Sequence, residues 1–141
     1  MGVVLPRGYK PSADEPFMNE LQREYFKRKL KDWRDELLED FEETREKLAL
    51  AEREIMDSID SANDELERAL ELRTRDRERK LIGKIDEALE RLRDGTYGYC
   101  TVTGKPIGLG RLEARPTATL SIEAQEEHER RERRGLARDA G

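Results

Sequence analysis

The feature that most constrains this fold is a long tract without a helix breaker. From Phe17 to Ile82 the chain contains neither glycine nor proline, and Glu, Lys, Arg, Leu and Ala dominate. These residues propagate α-helix well, so the tract predicts helix over most of its length. Apolar residues recur at three- and four-residue spacing, which is typical of packed helices. They form two seams: Leu30, Leu37, Phe41, Leu48, Ala51 and Ile55, then Ile59, Ala62, Leu66, Leu70, Leu81, Ile85, Ala88, Leu89 and Leu92.

Near the middle of the tract, a cluster of Asp, Ser and Asn predicts a turn. Residues 57–64 read DSIDSAND, and such side chains compete with helical hydrogen bonds. A fold-back there gives an antiparallel coiled coil with arms of about 25 residues, roughly 35 to 40 Å long. The alternative is one continuous helix that dimerises.

The second arm contains a polar stretch, RTRDRERK, between Leu72 and Leu81. We expect arginine stems in this stretch to cover apolar residues of the other arm, such as Phe41 or Leu37. The plainest interpretation of its charges is a salt-bridged helix face whose individual pairs are each worth under about 1 kcal/mol.

Composition narrows the class of protein. Charged residues make up 43% and hydrophobic residues 35%, so much of the chain is expected to be solvated helix. With 28 Lys and Arg against 33 Asp and Glu the net charge is −5, so we do not expect sequence-specific or non-specific binding to free DNA. No stretch suits a membrane span or a secretory signal, and a lone cysteine allows no internal disulfide. The expectation is a cytoplasmic monomer.

After the helical tract, a loop-rich module has the spacing of a four-ligand zinc ribbon. The two ligand pairs would be Cys100 with Thr103 and Ser121 with Ala124. Zinc needs about four thiolate or imidazole ligands, and here only one position has a thiol. The sequence therefore predicts a metal-free version of the fold that requires no zinc. The expected substitutes for the metal are apolar residues: Tyr97, Tyr99, Val102, Ile107, Leu109, Leu112, Leu120 and Ile122.

These signals divide the chain into four segments. Residues 1–16 are predicted to be a flexible N-terminal segment, and residues 17–94 the hairpin with its tip at about 56–64. Asp94-Gly95 should end the second helix. Residues 95–121 form the degenerate zinc-finger-like module, and residues 122–141 a C-terminal helix and tail.

Three stretches carry a family resemblance. The stretches are YGYC with IGLGRLEARPTA (107–118), LELRTRDRERKLIGKI (70–85) and FMNELQREYFKRKLKDWRDEL (17–37). They resemble the DksA/TraR family of bacterial transcription regulators. The resemblance covers residues 9 to 133, and its departures fall mainly on the zinc ligands. It implies a mainly α fold: a long antiparallel coiled-coil hairpin, a small zinc-ribbon-like base and a C-terminal helix.

The resemblance also implies a function. Family members insert the hairpin into the secondary channel of RNA polymerase and adjust transcription initiation at ribosomal RNA and stringent-response promoters, without being enzymes. By resemblance the effector residues at the tip are Asp57, Asp60 and Ala62. The plainer interpretation is that Asp and Ser only cap the turn.

A second implied site concerns ppGpp, which the resemblance implies as a co-regulator. The matching positions are Lys84, Arg115 and the apolar Leu81, while a further basic position of the family is Gln125 here. Arg73 and Arg77 are the expected polymerase contacts. The plainer interpretation is that Lys84 is an exposed helix lysine and that Arg115 anchors the base.

Two other functions stay open at this point. One is a Gre-like elongation or transcript-cleavage factor that uses the same channel, and the other is a structural coiled-coil protein that self-associates. Cys100 is either a redox-active thiol or a small buried hydrophobe, and the missing thiolates predict resistance to chelators and little sensitivity to oxidants.

Overall fold

A computed structural model describes residues 3–57 and 62–139, with side chains given for 3–54 and 65–135. These residues contain four helices: α1 (Glu20–Asp57), α2 (Ala62–Asp94), α3 (Leu109–Ala114) and α4 (Ile122–Asp139). The only β pairing within the described ranges is an isolated antiparallel bridge between Tyr99 and Pro106. The prediction of a mainly α fold is confirmed. None of the described helices combines the length and the apolar character that a membrane crossing requires.

Helices α1 and α2 form an antiparallel hairpin. Side chains of the two arms meet in reverse sequence order, as expected when the chain folds back on itself. Three hydrogen bonds define the order: Arg34 Nε to Asp86 Oδ1 at 2.7 Å, Arg75 Nη1 to Phe41 O at 2.9 Å, and Arg68 Nη2 to Glu52 Oε1 at 2.7 Å. The predicted hairpin is therefore confirmed, and the alternative of one continuous helix is wrong.

The polar stretch of α2 packs as its composition suggested. The Arg75 guanidinium carbon lies 3.9 Å from the centre of the Phe41 ring, and its Nη1 donates to the Phe41 carbonyl oxygen. A guanidinium can cover a ring in this way while it stays hydrated at its edge. The expectation that an arginine of this stretch covers Phe41 is confirmed.

Local hydrogen bonds set where the long helices begin and end. Asn19 Oδ1 accepts from the Gln22 backbone N–H at 2.8 Å, and Gln22 Oε1 accepts from the Met18 N–H at 2.8 Å. This reciprocal arrangement caps the start of α1. At the other end, α2 stops at Asp94 and Gly95 has a φ of 82°. The left-handed glycine lets two following N–H groups bond to the Arg91 carbonyl oxygen, so the predicted stop at Asp94-Gly95 is confirmed.

The chain divides into two compact units, described separately below. The base comprises Met1–Lys29 and Ala88–Gly141, and the hairpin unit comprises Leu30–Glu87. Buried residues of the base come from α1, α2, α3 and the loops: Met18, Gln22, Phe26, Ala88, Tyr97, Cys100, Ile107, Leu112, Ala118 and Ser121. Among its described side chains, the hairpin unit has fewer buried hydrophobic residues, namely Leu30, Leu48 and Ile85.

Aromatic rings make a chain of contacts through the base. Tyr9 lies edge-on to Tyr25 with centroids 6.2 Å apart, Tyr25 lies edge-on to Phe26 at 5.2 Å, and Phe26 packs on Tyr97 at 5.7 Å. Such pairs add to the free energy gained by burial. The Tyr9 hydroxyl also donates to Glu15 at 2.8 Å, so residues before α1 take part in the base.

Candidate functional site

The predicted tip falls at the ends of the two long helices. Asp57 is the last residue of α1 and Ala62 is the first residue of α2. Their side chains and the whole of Asp60 lie outside the described residues, so the role of these three residues stays a prediction. The end of α1 at Asp57 and the start of α2 at Ala62 both fall within the predicted range of 56–64.

The predicted basic residues of α2 are accessible. Arg73, Arg77 and Lys84 are exposed, and Leu81 is half-buried. Among the side chains that the structure describes, none of these three cations forms an ion pair, whereas neighbouring Arg79 pairs with Asp76. They are therefore available to an anionic partner.

The four positions of the zinc-ligand pattern lie on two loops that backbone hydrogen bonds hold in place. Cys100 is 3% exposed, and hydrogen bonds connect its backbone N–H to Lys105 O at 2.8 Å and its carbonyl oxygen to Gly104 N at 2.9 Å. The Thr101 N–H donates to Thr119 O at 2.9 Å, which joins the two loops that carry the pattern.

The two hydroxyl positions have structural roles of their own. Ser121 precedes α4, and its Oγ accepts from the Ala124 N–H at 3.2 Å, so it caps that helix. Thr103 Oγ1 accepts from the Lys105 N–H at 3.3 Å. Residues that stand at ligand positions therefore satisfy backbone donors instead.

The Cys100 thiol lies beside one hydroxyl and three backbone N–H groups of these loops. Burial would raise the pKa of Cys100, but hydrogen bonds from the Thr103 hydroxyl and from the backbone N–H groups of Ser121, Thr103 and Val102 outweigh it and lower the pKa to about 6. Donors from both loops thus converge on one sulfur atom and favour its thiolate.

Arg115 extends from a turn whose backbone is fixed by hydrogen bonds. Its N–H donates to Arg111 O at 2.7 Å, and its carbonyl oxygen accepts from Ala118 N at 3.0 Å. The buried Tyr97 hydroxyl donates to the next carbonyl oxygen, that of Pro116, at 2.7 Å. The Arg115 side chain itself is exposed, so the turn presents a free guanidinium to solvent.

A charged pair beside this turn closes the base on α1. Lys29 Nζ donates to the Glu113 carboxylate at 2.5 Å and to its carbonyl oxygen at 3.2 Å. Glu113 is partly buried, which would raise its pKa, but hydrogen bonds from Lys29 and Tyr25 keep the pKa below its ordinary value. Burial and the bond to Glu113 raise the pKa of Tyr25 to about 12.

Comparison with known proteins agrees with this geometry. Residues 22–92 match the family model of the DnaK suppressor protein DksA, N-terminal domain, and residues 95–130 match that of the prokaryotic dksA/traR C4-type zinc finger. The RNA polymerase-binding transcription factor DksA of Caulobacter vibrioides is 62% identical over 131 residues, which are 93% of this chain and 92% of that protein. The chain belongs to the DksA/TraR family.

Two further relatives of the DksA/TraR family extend the comparison. The RNA polymerase-binding transcription factor DksA of Escherichia coli K12 is 42% identical over 136 residues, covering 94% of this chain and 90% of that one. The solved structure of transcription factor DksA2 from Pseudomonas aeruginosa is 46% identical, with a TM-score of 0.77 over 88% of this chain and 94% of that chain.

The family model describes a four-cysteine zinc finger, which the residues here do not fit. Of the four positions, Cys100 has a thiol, Thr103 and Ser121 have neutral hydroxyls, and Ala124 has no donor atom. Within the described ranges, no group of three or more His, Cys, Asp and Glu side chains could hold a metal ion. The Thr103 and Ser121 hydroxyls are engaged with backbone N–H groups, as described above.

Prediction of the residues that replace the metal was partly wrong. Tyr97, Ile107 and Leu112 are buried, but Val102 is 73% exposed and Ile122 is 53% exposed. The sequence analysis also missed Met18, Gln22 and Phe26, because it placed the first helix in the hairpin alone. The run of aromatic residues at Tyr9, Phe17, Tyr25 and Phe26 is the signal that could have identified them.

Proposed function

We propose that the protein binds RNA polymerase and regulates transcription initiation by inserting the end of its α1–α2 hairpin into the secondary channel. Membership of the DksA/TraR family supports this, since relatives are named RNA polymerase-binding transcription factors. The observation that carries the proposal is the antiparallel hairpin, whose helices end at Asp57 and begin again at Ala62. A pair of helices can enter a channel that excludes a globular domain.

The proposed effectors are the carboxylates of Asp57 and Asp60, with Ala62 completing the tip surface. In a narrow, water-poor channel two carboxylates perturb nearby basic or metal-bearing elements more strongly than they would in water. We propose that this shortens the lifetime of promoter complexes that are already short-lived, such as those of ribosomal RNA and other stringent-response promoters. Any chemistry then belongs to the polymerase, and this protein acts without being an enzyme.

Two sets of cations are proposed to make the other contacts. Arg73 and Arg77 would bind acidic surface at the channel entrance, which their exposure and lack of described ion pairs support. Lys84 and Arg115, with the apolar Leu81 beside Lys84 on α2, are proposed to bind ppGpp. Guanidinium and ammonium groups bind phosphate oxygens well. Gln125 is uncharged at a position that is basic in the family pattern, so the proposed site has one positive charge fewer.

We also propose that the activity requires no zinc. One thiol and two hydroxyls that already accept hydrogen bonds from backbone N–H groups are a poor ligand set for zinc, which prefers four thiolate or imidazole donors. The aromatic contacts among Tyr25, Phe26 and Tyr97 provide stability that zinc would otherwise supply.

The decisive experiment measures the lifetime of open complexes at a ribosomal RNA promoter, in EDTA, with and without ppGpp. The wild type is compared with Asp57→Asn/Asp60→Asn and with a control of equal charge change on α4, Glu126→Gln/Glu129→Gln. We expect the wild type and the control to shorten the lifetime, and the tip variant to bind polymerase without doing so.

Each other result points to a different conclusion. Unchanged lifetimes with all three proteins would refute the initiation role, and stimulated cleavage of backtracked RNA would favour a Gre-like factor. If EDTA abolishes the effect, or metal analysis finds one tight zinc per chain, the zinc-independent activity is wrong. If ppGpp changes nothing, or if Lys84→Ala and Arg115→Ala respond like the wild type, the ppGpp site is wrong while the polymerase role stands.

A further inference from the structure

The hairpin unit carries two exposed strips of opposite charge. The acidic strip on α1 consists of Asp35, Glu39, Glu42 and Glu46, and the basic strip on α2 consists of Arg73, Arg77, Lys80 and Lys84. All eight residues are exposed, and both strips follow the spacing four, three, four. That spacing keeps the side chains of each strip on one side of its helix.

Neither strip is used by the contacts between the arms. Ion pairs that connect α1 with α2 involve other residues, Arg34 with Asp86 and Arg68 with Glu52. Among the described side chains, the only ion pair formed by a strip residue joins Glu42 to Arg45 of the same helix, at 3.7 Å. Seven of the eight charges therefore have no described partner of opposite sign.

Helix geometry turns both strips away from the arm-to-arm contact. At about 100° per residue, the acidic strip lies on average roughly 130° around α1 from Phe41, which faces the other arm. The basic strip lies roughly 170° around α2 from Arg75, the residue that covers Phe41. The hairpin thus has an acidic outer edge and a basic outer edge.

The two strips also match in register. Because the arms are antiparallel, Asp35 lies level with Lys84 and Glu46 lies level with Arg73, with the intermediate charges in the same reverse order. Exposed leucines extend both strips in the direction of the helix break: Leu50 follows Glu46 and is 57% exposed, and Leu70 precedes Arg73 and is 50% exposed.

We propose that the acidic strip of one copy binds the basic strip of a second copy, with the two hairpins side by side and pointing in the same direction. Four oppositely charged pairs then form without any offset, because each copy has its strips level with one another. Leu50 of one copy meets Leu70 of the other at the end of the row. The complementarity of charge and spacing is what selects a second copy as the partner.

This contact differs from a closed symmetric dimer. Each copy uses its acidic edge on one neighbour and keeps its basic edge for another, so the association is open-ended. It should also be weak, with a dissociation constant of the order of 0.1 to 1 mM at low salt, because exposed ion pairs contribute little beyond the cost of association. The inference does not depend on the proposed function, although the contact would cover the polymerase-binding Arg73 and Arg77.

Sedimentation velocity of the full chain tests the contact directly. We expect the weight-average mass to rise with protein concentration up to about 1 mM in about 10 mM salt, without a plateau at the dimer, and to stay monomeric in about 300 mM salt. Amide chemical shifts of the wild type should move with concentration at 35–50 and 70–84, and not in α4. A mass that stays monomeric at low salt, or shifts that move elsewhere, would overturn the proposal.

Charge reversal gives the sharper test. Glu39→Lys/Glu42→Lys places lysines opposite Lys80 and Arg77 of the neighbouring copy, and Arg77→Glu/Lys80→Glu places glutamates opposite Glu42 and Glu39. Two of the four pairs then become repulsive in either variant, so neither should associate alone at low salt. An equimolar mixture should associate at least as strongly as the wild type, since the edges are again complementary. The control Glu126→Lys/Glu129→Lys raises the net charge by the same four units on α4, and it should associate like the wild type.

The remaining outcomes contradict the proposal. If the control loses association as well, the effect belongs to net charge and not to the strips. If the mixture does not associate, the strips do not bind each other. If neither the wild type nor the mixture associates but the reversed variants lose polymerase binding, the edges belong to the polymerase interface alone.

Discussion

In the base, aromatic rings pack on one another, whereas in the hairpin a guanidinium covers a ring. Phe26 is completely buried and contacts the rings of Tyr25 and Tyr97. Phe41 in the hairpin is half-buried, and its partner is the charged side chain of Arg75. Removal of apolar surface from water therefore contributes most in the base, while the hairpin depends on fewer buried residues and more on helix propensity and partly solvated polar contacts.

Because of this difference, we expect the base mainly to determine stability and the hairpin mainly to determine contact with partners. Burial and hydrogen bonds close the base. The charged side chains of the hairpin are exposed, so the interactions of its surface depend on the salt concentration and on the binding partner. Changes in the base should therefore affect folding, and changes in the hairpin should affect binding.

The largest expected effect is from Phe26→Ala. Removal of a fully buried ring should lower the free energy of unfolding by about 3 to 5 kcal/mol, since a cavity adds to the lost burial. The matched change in the hairpin, Phe41→Ala, should cost less, about 1 to 2 kcal/mol, because that ring is half-exposed. Guanidinium unfolding monitored by circular dichroism measures both, and equal losses would contradict the comparison.

Gly98→Ala should be next in size. Gly98 has a φ of 90°, and an added Cβ would lie 3.1 Å from Met18 Cγ and 3.3 Å from Phe17 Cζ. We expect a loss of about 2 to 3 kcal/mol, from backbone strain together with crowding. Gly104 is the control, because its φ is 74° and nothing lies within 4 Å of the added atom. Gly104→Ala should cost only about 1 kcal/mol, and the same guanidinium unfolding assay checks the difference.

Arg75→Met tests the hairpin contact alone. Methionine keeps much of the apolar stem but removes the guanidinium from the Phe41 ring and the hydrogen bond to its carbonyl oxygen. The free energy of unfolding should fall by about 1 kcal/mol. The neighbouring exposed Arg77→Met is the control and should change stability by less than about 0.5 kcal/mol. A larger loss for the control would mean that Arg75 has no special role.

The last expected effect is a dependence of stability on pH, and it concerns Cys100. Its pKa is lowered to about 6 from an ordinary 9.0, so between these values the folded state has released a proton that the unfolded state still holds. The free energy of unfolding should therefore rise with pH from 6 to 9 and lose this contribution as pH falls through 6. Cys100→Ser should abolish the slope, and Thr103→Val should reduce it by removing one donor. A slope that persists in Cys100→Ser would assign it to another group.

Local patterns predicted the hairpin well, and long-range packing limited the prediction of the base. The breaker-free tract and the Asp94-Gly95 stop depend on nearby residues, which the sequence displays. Burial of Phe26 and exposure of Val102 depend on which distant segments meet, which periodicity does not reveal. The set of donors around Cys100 was also not predictable, because three of the four are backbone N–H groups and they come from two separate loops. The tip residue Asp60 stays a prediction.

Ser121 has a consequence for how the protein is made. At a position where a zinc finger has a ligand, its hydroxyl caps α4. The contacts described in the base are made by side chains and backbone groups of the chain itself. If the activity is independent of zinc, as proposed, maturation includes no step in which a metal must be delivered and inserted. The amount of active factor would follow the rate of translation even in a cell whose zinc supply has failed.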